Sequence, residues 1–286
     1  MDQKIIELYD EYTHAPLPRS VFLARLARLT GSVAAASALV PLLESNHARA
    51  AMVSPEDQRL ETSRIPYPGA GGDVKAYLAR PKGAAKLPAV IVVHENRGLN
   101  PHIEDVTRRV ALEGILAMAP DLLSPLGGTP SDEDAARDMI AKLDGKQAVQ
   151  NLVSAVTFLK KHASGNGKVG AVGFCQGGDR VGDLAVNAPE LDAAVVYYGR
   201  QPRAADVEKI RAPLLLHYAG LDERINKGIP AFEEALKKAG KKYTLHLYEG
   251  TNHAFNSDTS EARYNKPAAD LAWGRSIAFF KANLKA

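Results

Sequence analysis

Short apolar runs alternate along most of the chain with longer stretches in which apolar residues recur at helical spacing. The runs predict strands over 73–79, 89–94, 115–119, 168–174, 193–198, 213–218 and 243–248. The longer stretches predict helices over 103–113, 132–143, 148–162, 178–187, 230–239 and 262–284. Runs such as Ala89-Val90-Ile91-Val92-Val93 are apolar at every position. A strand needs that only when helices cover both of its faces, and strands alternating with helices imply a parallel sheet. The expected fold is therefore α/β, a doubly wound and mostly parallel sheet with helices on both faces. It occupies 54–286, behind an N-terminal extension over 1–53. The glycine- and proline-rich stretches 66–72 and 126–130 read as loops.

The extension follows another pattern. A mixed-charge amphipathic start over 1–14 leads to Leu17-Pro18-Arg19-Ser20-Val21-Phe22-Leu23, then to small apolar residues over 29–43, then to Ala48-Arg49-Ala50. Basic region, apolar region and A-x-A-like site come in the order of an export signal. Arg19-Ser20 stands where the twin-arginine type carries its pair, and Pro41 is a further departure. The alternative is a helical hairpin packed on the domain. A working leader would place the protein in the periplasm, a packed hairpin in the cytoplasm. The apolar stretch is short of the roughly 20 residues a bilayer requires, so no stable membrane span is expected.

Composition narrows the function classes. The chain has 286 residues, of which 45% are hydrophobic, too apolar for disorder and long enough for a large core. A net charge of +3 without long runs of like charge gives no footprint for nucleic acid. With a single cysteine, Cys175, no intrachain disulfide and no thiol-rich zinc site can form. His94 and His217 fall on predicted strands and read as core histidines, and too few ligand-type residues stand close in sequence for a metal site. Nucleotide-binding glycine motifs are lacking as well, so no cofactor is expected. The oligomeric state stays open, with a homodimer as one candidate.

The chemistry concentrates in Gly173-Phe174-Cys175-Gln176-Gly177, a G-x-C-x-G at the junction of a predicted strand and helix. Glycines two before and two after the central residue permit the sharp turn of a nucleophile elbow. Cys175 would be the nucleophile. The helix N-terminus favours its thiolate, which allows a thiolate–imidazolium pair at rest, and the Gln176 N–H would face a developing oxyanion. The bland alternative is a buried structural cysteine. In α/β-hydrolases an acid and then a histidine follow the nucleophile, each after a later strand. Asp222 follows the strand over 213–218, and His253 follows the strand over 243–248. The three would converge at the carboxyl ends of the strands, with His253 as base and Asp222 orienting it.

These residues resemble the dienelactone hydrolase (carboxymethylenebutenolidase) family from about residue 60 to the C-terminus. The likeness rests on Val92-Val93-His94-Glu95-Asn96-Arg97-Gly98-Leu99-Asn100, Ala119-Pro120-Asp121-Leu122, Gly167-Lys168-Val169-Gly170, the elbow, Tyr197-Tyr198-Gly199 and Gly250-Thr251-Asn252-His253-Ala254-Phe255. With Arg19-Ser20-Val21-Phe22-Leu23, it is most similar to a bacterial subgroup of hydrolases carrying a degenerate export-like leader. The resemblance implies an α/β-hydrolase fold and a small ester or lactone substrate. It implies that Glu95 accepts or holds the thiol proton, and that Asn96 supplies a second oxyanion N–H. Where the family has a substrate-binding arginine four residues after the histidine, this chain has Ser257. Arg97, Arg200 and Arg224 could substitute, and Tyr198 could line the pocket. Competing readings are an acyltransferase, a non-catalytic binding protein and a redox-sensing thiol.

Overall fold

The structure is a computed structural model that describes residues 1–14, 17–44 and 52–285. Eight strands form one sheet: β1 (Leu60–Gly69), β2 (Gly72–Pro81), β3 (Leu87–Val93), β4 (Leu116–Pro120), β5 (Gly165–Phe174), β6 (Ala193–Tyr197), β7 (Leu214–Ala219) and β8 (Tyr243–Tyr248). Their spatial order is β1-β2-β4-β3-β5-β6-β7-β8. Strand β2 runs antiparallel to β1 and β4, and the pairings from β4 through β3 to β8 are parallel.

Each predicted strand has a counterpart here, and β1 is an addition. Residues 66–69 are strand rather than loop, paired with β2 down to Gly69 opposite Gly72. Pro66 and Pro68 conceal this strand from a pattern reading, because proline lacks the ladder's donor. An edge strand tolerates it.

The doubly covered sheet explains the unbroken apolar runs. In β3, Ala89, Ile91 and Val93 join a core with Leu152 and Val156 of α6 (Gly145–Lys160) and Val181 and Leu184 of α7 (Gln176–Asn187). Val90 and Val92 join the opposite core with Ile103, Val106 and Val110 of α4 (Pro101–Leu112) and Phe280 of α10 (Lys266–Asn283). Each position from Ala89 to Val93 thus packs into a core that contains helix residues. Helix α10 starts later than the predicted 262, where the Asn265 side chain caps it by accepting the Ala268 N–H. Between them in sequence lie α5 (Glu133–Ala141), the short α8 (Glu223–Asn226) and α9 (Ile229–Lys238).

The described part of the extension folds as α1 (Gln3–His14), α2 (Arg19–Thr30) and α3 (Val33–Leu43). No single described helix is long and apolar enough to cross a membrane, and α2 and α3 bend by 113° at a break that contains Gly31, φ 80°. They bury a separate cluster that includes Tyr9, Tyr12, Phe22, Leu26 and Leu43, with Tyr12 stacked on Phe22 at 4.4 Å. Polar ties hold α1 to the sheet domain. Gln3 Nε2 donates to Asn252 Oδ1 at 2.8 Å, Arg263 Nη1 meets Asp10 Oδ1 at 3.3 Å, and the Tyr12 hydroxyl donates to Asp134 Oδ1 at 3.2 Å. Ala48-Arg49-Ala50 lies outside the described residues.

Candidate active site

Cys175 sits between β5 and α7 with φ 54° and ψ −121°, in a region side chains seldom occupy. Two close approaches impose the turn. A Cβ on Gly173 would strike the Gly177 carbonyl, and one on Gly177 would strike the Val93 carbonyl. The Cys175 N–H is bound by the Tyr197 carbonyl at 3.1 Å, and its own carbonyl accepts the Asp179 N–H at 3.1 Å. The local backbone is therefore over-determined, which is how a strained conformation persists.

Asp222 ends the turn after β7 and caps α8, with Oδ1 accepting the Ile225 N–H at 3.2 Å. Its Oδ2 lies 2.5 Å from Nδ1 of His253, which follows β8. An acceptor-only carboxylate at Nδ1 puts the proton on that nitrogen and leaves Nε2 with a lone pair. His253 is 2% exposed, and its Nε2 makes no hydrogen bond among the described residues. Burial alone would lower the His253 imidazole; the negative charge that Cys175 carries once ionised, and the bond to Asp222 with its charge, push it up, so the ring gains its second proton as the sulfur loses one. Burial would raise the Asp222 carboxyl, yet the bond to His253 and the charges of His253 and Arg224 bring it below the ordinary carboxylate range.

The sulfur departs from expectation. Burial pushes the Cys175 thiol above its ordinary value, with Glu95 and Asp179 adding to the rise and His253 only partly offsetting it. Desolvation of the thiolate is the largest of these effects. Burial and the two carboxylates favour the protonated sulfur, and the coupling to His253 works against them.

Its hydrogen-bond partner comes from the extension. His14, the last residue of α1, brings Nε2 to 2.9 Å from Cys175 Sγ. Its Nδ1 lies 2.8 Å from the Asp10 carbonyl, which can only accept, so Nδ1 carries the proton and Nε2 accepts from the thiol. Burial and the neighbouring charges of His253 and Arg224 hold the His14 imidazole well below its usual value. Asn96 Nδ2 donates to the Thr13 carbonyl at 2.7 Å and ties the same helix end to the loop after β3. Nothing in the run Tyr12-Thr13-His14 marks it as part of this site; only the packing of α1 does.

The remaining sequence candidates divide. Glu95 and Cys175 line one small cavity of about 20 Å³ together with His14 and Arg263, a buried arginine that no sequence pattern marks. Gln176, Asn96, Tyr198, Arg200 and Arg224 line an adjoining cleft of about 1020 Å³ that reaches Cys175 and His253. Tyr198, with φ 39°, holds its ring 4.9 Å from that of His253, the two planes inclined by 57°. Arg97 is committed elsewhere, donating to the Glu133 carbonyl at 2.8 Å and to Asp134 Oδ1 at 3.1 Å. Arg200 is largely exposed beside Asp179, whereas Arg224 Nη2 stands 3.5 Å from His253 Nδ1. Ser257, at the position of the family's arginine, is buried against Thr259 at 2.8 Å. His94 and His217 are internal: His94 Nε2 accepts the Leu122 N–H at 3.2 Å, and His217 bridges Ser276 and Tyr248.

The strand order, the elbow after β5 and the acid and histidine after β7 and β8 define an α/β-hydrolase. The chain belongs to the dienelactone hydrolase family, whose model matches residues 74–284. It is 32% identical to the "Putative carboxymethylenebutenolidase" of Saccharolobus solfataricus over 75% of this chain and 96% of that one. It is also 32% identical to the "Probable 2-oxo-3-(5-oxofuran-2-ylidene)propanoate lactonase" of a Bradyrhizobium species, over 76% of this chain and 92% of that one. Among solved structures, the "Putative Dienelactone Hydrolase" of Klebsiella pneumoniae aligns with TM-score 0.71 and 30% identity, covering 78% of this chain and 98% of its own. The protein is a hydrolase of this family.

Proposed function

We propose that the protein hydrolyses a small carboxylic ester or lactone through a Cys175 acyl-enzyme. The observation that carries the reading is the Asp222–His253 pair at 2.5 Å, with a bare, buried Nε2 beside the sulfur of a strained elbow. In the first half-reaction His253 Nε2 takes the thiol proton as Sγ attacks the carbonyl carbon. The N–H groups of Gln176 and Asn96 would face the oxyanion, and imidazolium returns the proton to the leaving alcohol. In the second, His253 deprotonates water for attack on the thioester, and Cys175 leaves protonated. Enol-type leaving groups suit this chemistry. An amine leaves less readily than a thiolate, so amides return to starting material. The names borne by the relatives, carboxymethylenebutenolidase and lactonase, favour the same substrate class.

A burst assay with p-nitrophenyl acetate, with mass spectrometry of the quenched protein, tests the reading. The expected result is an acetyl group on the peptide holding Cys175, followed by turnover, and a loss of about 10⁴-fold or more in Cys175→Ala. A folded protein that forms no adduct and releases no phenolate would give first place to a binding protein or a redox thiol.

A further inference from the structure

We infer that His14, Cys175 and His253 form a binding site for a thiophilic divalent cation, of which zinc is the probe, and that its occupancy locks the sulfur. One ring nitrogen of each histidine and Cys175 Sγ all lie within 4.8 Å of one another. Around a tetrahedral zinc, with bonds of about 2.0–2.1 Å to nitrogen and about 2.3 Å to sulfur, ligand atoms stand roughly 3.3–3.6 Å apart. The 2.9 Å between His14 Nε2 and Sγ must open slightly, and no other separation, all being within 4.8 Å, must close by more than about an ångström, within side-chain reach.

Three further observations support the assignment. His253 Nε2 is buried and makes no hydrogen bond among the described residues, so a lone pair is available. Both histidines are oriented as metal ligands are, each with Nδ1 held by an oxygen, the Asp10 carbonyl for His14 and the Asp222 carboxylate for His253. The cluster also opens onto the cleft of about 1020 Å³, which leaves an entry path and a fourth position for water or substrate. Arg224 and Arg263 are nearby positive charges, and Asp10, Asp222 and Glu95 offset them.

Binding breaks the Sγ–H bond and forms an Sγ–metal bond, and the proton leaves to solvent. The sulfur pair needed for attack is then engaged. Because two of the three ligands also serve the proposed hydrolysis, the regulatory half of the inference rests on that reading. The metal site itself requires only a thiolate and two imidazoles. The chain positions are 14, 175 and 253, so no local ligand motif exists.

Chelator-washed full-length protein titrated anaerobically with Co²⁺ gives the decisive readout. One equivalent should produce a thiolate-to-cobalt charge-transfer band and the intense visible bands of a tetrahedral centre, all displaced by Zn²⁺. His14→Ala should weaken Zn²⁺ binding by about 100-fold or more, since even outer partners of metal ligands are worth 10–100-fold. His14→Gln, which keeps most of the volume, guards against misfolding, with circular dichroism as the check. Absence of the charge-transfer band, or a band of unchanged affinity in His14→Gln, would overturn the site. Ester turnover measured in parallel should fall with Zn²⁺ and return with chelator. Cobalt bands that depend on His14 without any loss of turnover would support the metal site and instead refute the nucleophile.

Discussion

At the residue scale, the thiol of Cys175 is surrounded by groups that pull its proton in different directions. Burial, Glu95 and Asp179 hold the proton on sulfur, while His253 draws it away. The sign for Glu95 follows directly. Its negative charge raises the thiol, so Glu95→Gln should lower the thiol pKa and increase the thiolate fraction at pH 7. Iodoacetamide should then alkylate Cys175 faster at pH 7 than in the unaltered protein. In the unaltered protein the alkylation rate should go on rising above the range where a free cysteine levels off. If Glu95→Gln is instead alkylated more slowly, Glu95 accepts the proton, as the family resemblance implies. His14 enters the same balance as a weak, neutral acceptor, since desolvation holds it well below its usual value.

At the scale of elements, α1 is held at the site both by its polar ties to the sheet domain and by the apolar cluster it shares with α2 and α3. Phe22 is fully buried and stacks on Tyr12, while Arg137 of α5 sits over the other ring partner, 4.5 Å from the centroid of Tyr12. Removing the Phe22 ring should cost about 3–5 kcal/mol locally, the usual range for a buried phenylalanine cut to alanine. The expected outcome for Phe22→Ala is faster amide hydrogen exchange confined to residues 3–43, with the sheet retaining its protection. Cys175 alkylation should also quicken as His14 withdraws. Uniform loss of protection across the sheet would instead make the extension and the sheet one cooperative unit. Asp134 is the polar hinge of this contact, receiving Tyr12, Arg19, Arg97 and Arg137.

At the scale of the whole molecule, the cleft collects charge from the extension, from α5 and from the loops at the carboxyl ends of the strands. Most of it is internally paired: Arg19 with Glu44 and Asp134, Arg137 with Asp134 and Asp138, and Arg200 with Asp179. Arg224 makes no salt bridge among the described residues and stands over the His253–Asp222 pair. We propose that Arg224, and not Ser257, would receive a substrate carboxylate. Arg224→Ala should raise KM about tenfold or more for an ester carrying a free carboxylate, the worth of a hydrogen bond to a charged group. The KM for a neutral ester of the same size should change little. Equal losses for both substrates would assign Arg224 to support of His253 instead.

Much of this molecule was legible in the residues because the physics involved is local. Unbroken apolar runs between amphipathic stretches require a doubly covered parallel sheet, and G-x-C-x-G at a strand end requires a tight elbow. Asp222 and His253 could be nominated because each follows a strand whose carboxyl end must face the same edge. Strand β1 escaped because Pro66 and Pro68 obey a rule that edge position relaxes. The rise of the Cys175 thiol is not legible in sequence, because a helix terminus is visible there whereas desolvation depends on everything packed around the sulfur. His14, Arg263 and the dispositions of Arg97, Arg200 and Arg224 depend on contacts between segments up to hundreds of residues apart, for which sequence carries no distance. Chain pattern alone determined the parallel part of the sheet and nominated the candidate residues Cys175, Asp222 and His253. Tertiary packing alone decided which imidazole holds the thiol, because hydrogen bonds and burial are properties of neighbours in space.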